Sequence, residues 1–156
     1  YHNLPLINGV PQKHGATYKA TQVQADKRKN TFTANIATAY PAEAEVESWI
    51  RSYSLQKGQL RISDSFRLTT AKQPNQINFM TWGQVNTEIP GKIQLEVKGK
   101  KAFIEYDKQL FDVKTETIPL TDPRLSNVWG KSIYRITLTA TNIYKTGNYS
   151  FIIKKQ

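Results

Sequence analysis

The sequence predicts an all-β protein: an antiparallel β-sandwich of two packed sheets, about ten strands in all, with at most one or two short helical turns. Three observations predict it. Apolar residues recur with period two, turn residues fall between the runs at hairpin spacing, and one segment alone offers a competing helix.

In chain order, Asn8-Gly9 supplies the positive φ that a tight turn demands. Pro41 to Tyr53 is the competing helix, because Pro41 suits a first helical position and Ala42-Glu43-Ala44-Glu45 favour helix. From Ser48, however, Trp49, Arg51, Tyr53 and Leu55 share one face at period two. A single helical turn after Pro41, then a strand, reconciles the two patterns.

Lys57-Gly58 then joins this strand to the next, where Leu60, Ile62, Phe66 and Leu68 alternate with Arg61, Ser63, Ser65 and Arg67. Ile93, Leu95 and Val97 form another run, and Gly99 turns it into Ala102, Ile104 and Tyr106. A second helical turn is expected after Asp122-Pro123. Tyr134, Ile136, Leu138 and Ala140, then Tyr149, Phe151 and Ile153, complete the pattern. One face of each strand packs while the other meets water, as antiparallel sheets allow. No repeat or linker divides the chain, so residues 1–156 read as a single domain.

The formal net charge is +10, which favours polyanionic partners: nucleic acid, an anionic membrane, or a sulfated or uronic polysaccharide. The basic clusters Lys27-Arg28-Lys29, Lys98 with Lys100-Lys101, and Lys154-Lys155 fall in apparent turns or at the end, where solvated lysines are also expected. No apolar run approaches the ~20 residues of a membrane helix, and no membrane partner is expected. The absence of cysteine excludes disulfides and thiolate metal sites. The chain opens on Tyr1 without Met or a signal segment, so its N-terminus is read as cut.

No self-contained active site is legible. The two histidines, His2 and His14, both lie in the first fifteen residues, and no HExxH, Gly-x-Ser-x-Gly or phosphate-cradling loop occurs. His2 reads either as an exposed structural residue or as a metal ligand whose partners lie elsewhere, and His14 reads as solvated. Asp64 falls on the apolar face of Leu60, Ile62, Phe66 and Leu68, where a carboxylate needs hydrogen bonds or a cation, most simply a neighbouring Arg. Trp49, Trp82 and Trp129 are either inter-sheet plugs or a sugar-stacking surface. Asn148-Tyr149-Ser150 fits a glycosylation acceptor, here taken as a chance match in a turn.

Several stretches, in order, resemble the C-terminal β-domain of the heparinase II/III-like polysaccharide lyases. They are Tyr1-His2-Asn3-Leu4-Pro5-Leu6-Ile7-Asn8-Gly9 with Gln12, Phe32-Thr33-Ala34-Asn35-Ile36 continuing to Tyr40-Pro41, and Ser48-Trp49-Ile50-Arg51 leading to Leu60-Arg61-Ile62-Ser63-Asp64. Asn78-Phe79-Met80-Thr81, Leu120-Thr121-Asp122-Pro123-Arg124-Leu125, Trp129-Gly130 and Tyr134-Arg135-Ile136 follow. The resemblance implies a C-terminal piece of a larger enzyme, with an N-terminal α/α toroid as the partner domain of the same parent. Such enzymes cleave heparin, heparan sulfate or similar uronic-acid polysaccharides by β-elimination, using Tyr, Asn and His groups of the toroid and its junction. It further implies a periplasmic or secreted bacterial protein and a metal site, commonly zinc, to which His2 contributes while its partners lie upstream. No catalytic residue is expected within this chain.

Two other readings compete with an inactive lyase domain. A stand-alone module for acidic glycans would expose two or three coplanar aromatic rings. A nucleic-acid-binding domain would interleave basic and aromatic residues on one face, whereas most strands here place Lys and Arg opposite the aromatics.

Overall fold

The computed structural model describes residues 2–156. Its strands are β1 (Pro5–Leu6), β2 (Thr21–Asp26), β3 (Thr31–Asn35), β4 (Val46–Gln56), β5 (Gln59–Leu68) and β6 (Gln76–Thr81). Then follow β7 (Gln84–Ile89), β8 (Lys92–Val97), β9 (Lys100–Tyr106), β10 (Phe111–Pro119), β11 (Ser132–Ala140) and β12 (Thr146–Lys155). They build two antiparallel sheets. One has four strands in the order β1-β6-β11-β10, and the other eight in the order β2-β3-β4-β5-β12-β9-β8-β7. The expected sandwich is present.

Local chemistry explains the elements. Lys57-Gly58 and Lys98-Gly99 each place two successive residues at positive φ (50° and 74°, 51° and 76°), the twist that two-residue hairpins need. The segment after Pro41 makes one 3-10 turn, Ala42–Ala44, which Glu45 ends in the left-handed region before β4 begins. A further 3-10 turn spans Ala37–Ala39. After Asp122 the chain forms a helix, α1 (Pro123–Trp129), with Pro at its start and the Asp122 side chain accepting from the Arg124 amide. Asn148-Tyr149-Ser150 lies within β12 rather than in a turn, with Tyr149 buried.

The two sheets close over an aromatic core. Trp49 of β4 stacks on Phe66 of β5, its cross-strand partner, with centroids 4.8 Å apart. Tyr149 of β12 touches Phe66 and Phe111, and Phe151 meets Phe79 edge-on. Each fully buried large apolar side chain contributes roughly 1.5–3 kcal/mol. The edges are different: β2 is exposed along nearly its whole length and pairs with β3 alone, so no alternation announces it.

Asn8 ties the N-terminal segment to this body. Its side-chain amide donates to the carbonyls of Ala44 (2.9 Å) and Thr70 (2.8 Å), while its Oδ1 accepts from the Lys72 amide (2.8 Å). Asn3 Oδ1 accepts from the Met80 amide, and Asn78 Nδ2 donates to the Leu4 carbonyl. The segment 2–6 is thereby laid along β6, with Pro5–Leu6 as the edge strand of the four-stranded sheet.

Candidate functional site

On the outer face of the four-stranded sheet, alternation along β6 and β11 places buried Asn78 and half-buried Met80 beside half-buried Arg135 and Ile133. Segment 2–6 runs beside them along β6, and two hollows adjoin it. The first, about 220 Å³, is lined by His2, Leu4, Leu6, Gln12, Asn78 and Arg135. The second, about 290 Å³, is lined chiefly by Met80, Trp82, Leu125, Trp129 and Ile133, with Asn3 at its margin.

The first hollow gathers polar groups of a particular kind. Arg135 pairs with Glu116, its cross-strand neighbour on β10, and lines the hollow. Asn78 is spent structurally: its Oδ1 accepts from the Thr137 hydroxyl at 2.9 Å while its amide holds Leu4. His2 is exposed at the rim. A guanidinium, an imidazole and the Gln12 carboxamide together suit a carboxylate or sulfate oxygen. They do not suit a metal ion. One imidazole beside a guanidinium lacks the converging ligands zinc needs, and no group of three His, Cys, Asp or Glu able to hold a metal is assembled among the described residues. His14 is exposed and lies outside both hollows.

Trp49 is removed from any sugar surface. Its side chain has no solvent exposure, lies against Phe66, and donates from Nε1 to Asp64 Oδ1 at 2.8 Å. It is an inter-sheet plug, because its ring fills the centre of the sandwich. Trp82 and Trp129 differ: they are 44% and 49% exposed, 6.5 Å apart and inclined at 71°. The rings make a corner rather than the coplanar shelf expected of a stand-alone binding module.

Asp64 lies deep between the sheets, where Arg51 meets it through two bonds of 2.7 Å. Burial works against the Arg51 charge, but the charge and hydrogen bonds of Asp64 together outweigh it and hold the guanidinium above its ordinary pKa. The Tyr40 hydroxyl donates to the Pro5 carbonyl at 2.7 Å, and burial pushes its pKa up. These groups stabilise the sandwich under the N-terminal segment and have no route to a ligand.

No protein-family model matches the sequence, and no curated protein matches it significantly. Solved structures do match. The chain superposes on heparan sulfate lyase HepC from Pedobacter heparinus with a TM-score of 0.69, and on a mutant of that enzyme with 0.68. Both alignments cover 99% of this chain at 12% identity. The likeness is one of fold. The chain spans 24% of the length of those lyases, so the similarity is at the level of a domain.

Of the residues that sequence reasoning named, the structure places His2 at the first hollow, Trp82 and Trp129 at the second and Trp49 in the core; neither Arg135 nor Asn78 was singled out. The available signal was their place on the polar face of their strands, which they share with many solvated residues. Only their place in the hollow beside segment 2–6 distinguishes them.

Proposed function

We propose that this chain is the β-domain of a polysaccharide lyase acting on heparan sulfate or a similar uronic-acid polymer, supporting the cleft in which a partner domain performs β-elimination. The observation that carries this reading is the fold likeness over 99% of the chain to part of a heparan sulfate lyase. The formal net charge of +10 and the ordered sequence resemblance support it.

In this reading the hollow of His2 and Arg135 faces the cleft, where Arg135 neutralises a uronate carboxylate or sulfate. Val128 of α1, exposed and outside both hollows, packs against the toroid of the same parent. Zinc in the parent, with His2 as a ligand, would need its other ligands from outside this chain, because the hollow of His2 and Arg135 does not itself suit a metal ion. Export to the periplasm belongs to the same proposal.

Elimination creates an unsaturated uronate whose ultraviolet absorbance reports the reaction. The chain alone is expected to produce none from heparan sulfate, and the full parent to produce it. Arg135→Ala in the parent is expected to lower turnover about tenfold or more, the scale of a lost charge-assisted contact. A parent that degrades the polymer without forming unsaturated ends would overturn the reading.

A further inference from the structure

Beside the β8–β9 hairpin and the ends of β6 and β12 lies a groove of about 700 Å³. Its apolar lining is Leu95, Val97 and Ala102, and its cationic lining is Lys100, Lys101 and Lys155. Two lysine clusters far apart in sequence thus share one groove, because the β8–β9 hairpin and the end of β12 lie side by side, with Lys155 opposite Ala102.

Two of these lysines stand exposed where apolar rows run out at the strand ends. Lys100 continues the row of Ala102 and Ile104, and Lys155 the row of Phe151 and Ile153, both of which face the opposing sheet. Lysines often protect a sheet edge, but β9 and β12 are interior strands, so edge protection does not account for this pair. Neither these lysines nor Lys101 and Lys98 have a carboxylate within ion-pair distance among the described residues; Lys154, by contrast, pairs with Glu105 at 2.6 Å.

The groove is also joined to the tryptophan corner. Thr81 lines both the groove and the hollow of Trp82 and Trp129. On its other side Trp82 borders a hollow of about 250 Å³ with Lys98, whose ammonium stands 5.9 Å from the ring centroid, and with Glu96, the one carboxylate there.

We infer that the surface from the Trp82–Trp129 corner across Thr81 to Lys100, Lys101 and Lys155 is a binding track for an anionic polysaccharide, separate from the hollow of His2 and Arg135. Sugar rings have apolar faces that pack on indole, and their sulfates or carboxylates meet the ammonium groups. A single-stranded nucleic acid would stack successive bases on parallel rings, and rings at 71° offer no such stack. The choice of heparan sulfate as ligand rests on the lyase reading; the track itself rests on the groove.

The test is calorimetric titration of this chain with a size-defined heparan sulfate octasaccharide, an unsulfated uronate octasaccharide and a single-stranded oligonucleotide of matched charge. Binding of the sulfated octasaccharide is expected, weakening as salt rises. Lys100→Ala with Lys155→Ala, and separately Trp82→Ala, are each expected to weaken it about tenfold or more, as lost charge-assisted and stacking contacts do. Lys27→Ala with Lys29→Ala, at the far end of the sheet, is expected to leave it unchanged. Circular dichroism confirms that each variant folds. Equal loss from the Lys27 and Lys29 pair, no loss from the groove variants, no binding of either glycan, or tighter binding of the oligonucleotide would each overturn the track. Binding of the unsulfated glycan alone would retain the track and reassign its ligand to carboxylates. Failure of the lyase reading shows elsewhere, as a parent that forms no unsaturated product while the groove variants still weaken glycan binding.

Discussion

Arg51 and Asp64 stand directly opposite each other across β4 and β5, and their side chains meet in a two-pronged pair inside the core. Asp64 also accepts from Trp49 Nε1, and Arg51 Nη1 donates to the Asn3 carbonyl at 3.3 Å. The pair therefore links the centre of the sandwich to segment 2–6, which borders both hollows. Removing one partner strands a buried charge. Asp64→Ala is expected to lower unfolding stability by about 3–5 kcal/mol, whereas Arg51→Met combined with Asp64→Leu loses far less. Urea unfolding of the two variants checks this; equal losses would show that the pair itself, rather than the unpaired charge, sets the stability.

Gly147 faces Phe66 across β12 and β5, and a methyl group there would stand 2.9 Å from the ring. The ring is held between Trp49 and Tyr149, with centroids 4.8 and 4.9 Å away, so it has little room to yield. Gly147→Ala is expected to destabilise by roughly 1–3 kcal/mol. In a Phe66→Leu background the same change should cost less, a coupling that a double-mutant cycle reads directly.

The interior of this fold was legible because burial imposes period two on strands with one packed face. Ile62, Asp64, Phe66 and Leu68 all lie buried in the row the alternation assigns them. The edge strand β2 was not legible, since a strand with exposed side chains leaves no apolar record. The site was less legible than the core. Nothing local marks Arg135, which pairs with Glu116 through strand register, or joins Lys100 to Lys155, which depends on strand order. Trp49 and Trp82 are equally aromatic in the sequence; only the position of each in the layers separates a plug from a surface ring.

Asn8 occupies a positive-φ position with a side chain that both donates and accepts. Asn8→Ala keeps neither function and leaves buried carbonyls unpaired, with an expected loss of at least about 2 kcal/mol. Asn8→Asp is expected to be worse near neutral pH, because a carboxylate aimed at the Ala44 and Thr70 carbonyls repels them where the amide donated. Hydrogen exchange of the Lys72 amide, which donates to Asn8 Oδ1, locates the damage. Protection at Lys72 retained in Asn8→Ala would mean that the turn stands without this side chain.

Tyr149 gives the fold a dependence on alkaline pH. Burial pushes its pKa from 10.0 up to about 12, with the Asn75 side chain opposing the shift. A phenol raised in the folded state keeps its proton there while the unfolded chain loses it. Its contribution is therefore complete below pH 10 and declines as pH rises through about 12, a fall of roughly 2–3 kcal/mol. Tyr149→Phe preserves the ring that packs on Phe66 and Phe111 and removes the titration. The variant should lose little stability at neutral pH and show a shallower decline above pH 10, where Tyr40, also raised by burial, still titrates. Urea midpoints measured from pH 8 to 12 on both proteins make the comparison. Parallel curves would mean that the Tyr149 hydroxyl ionises as freely folded as unfolded, and the burial argument would fail at this residue.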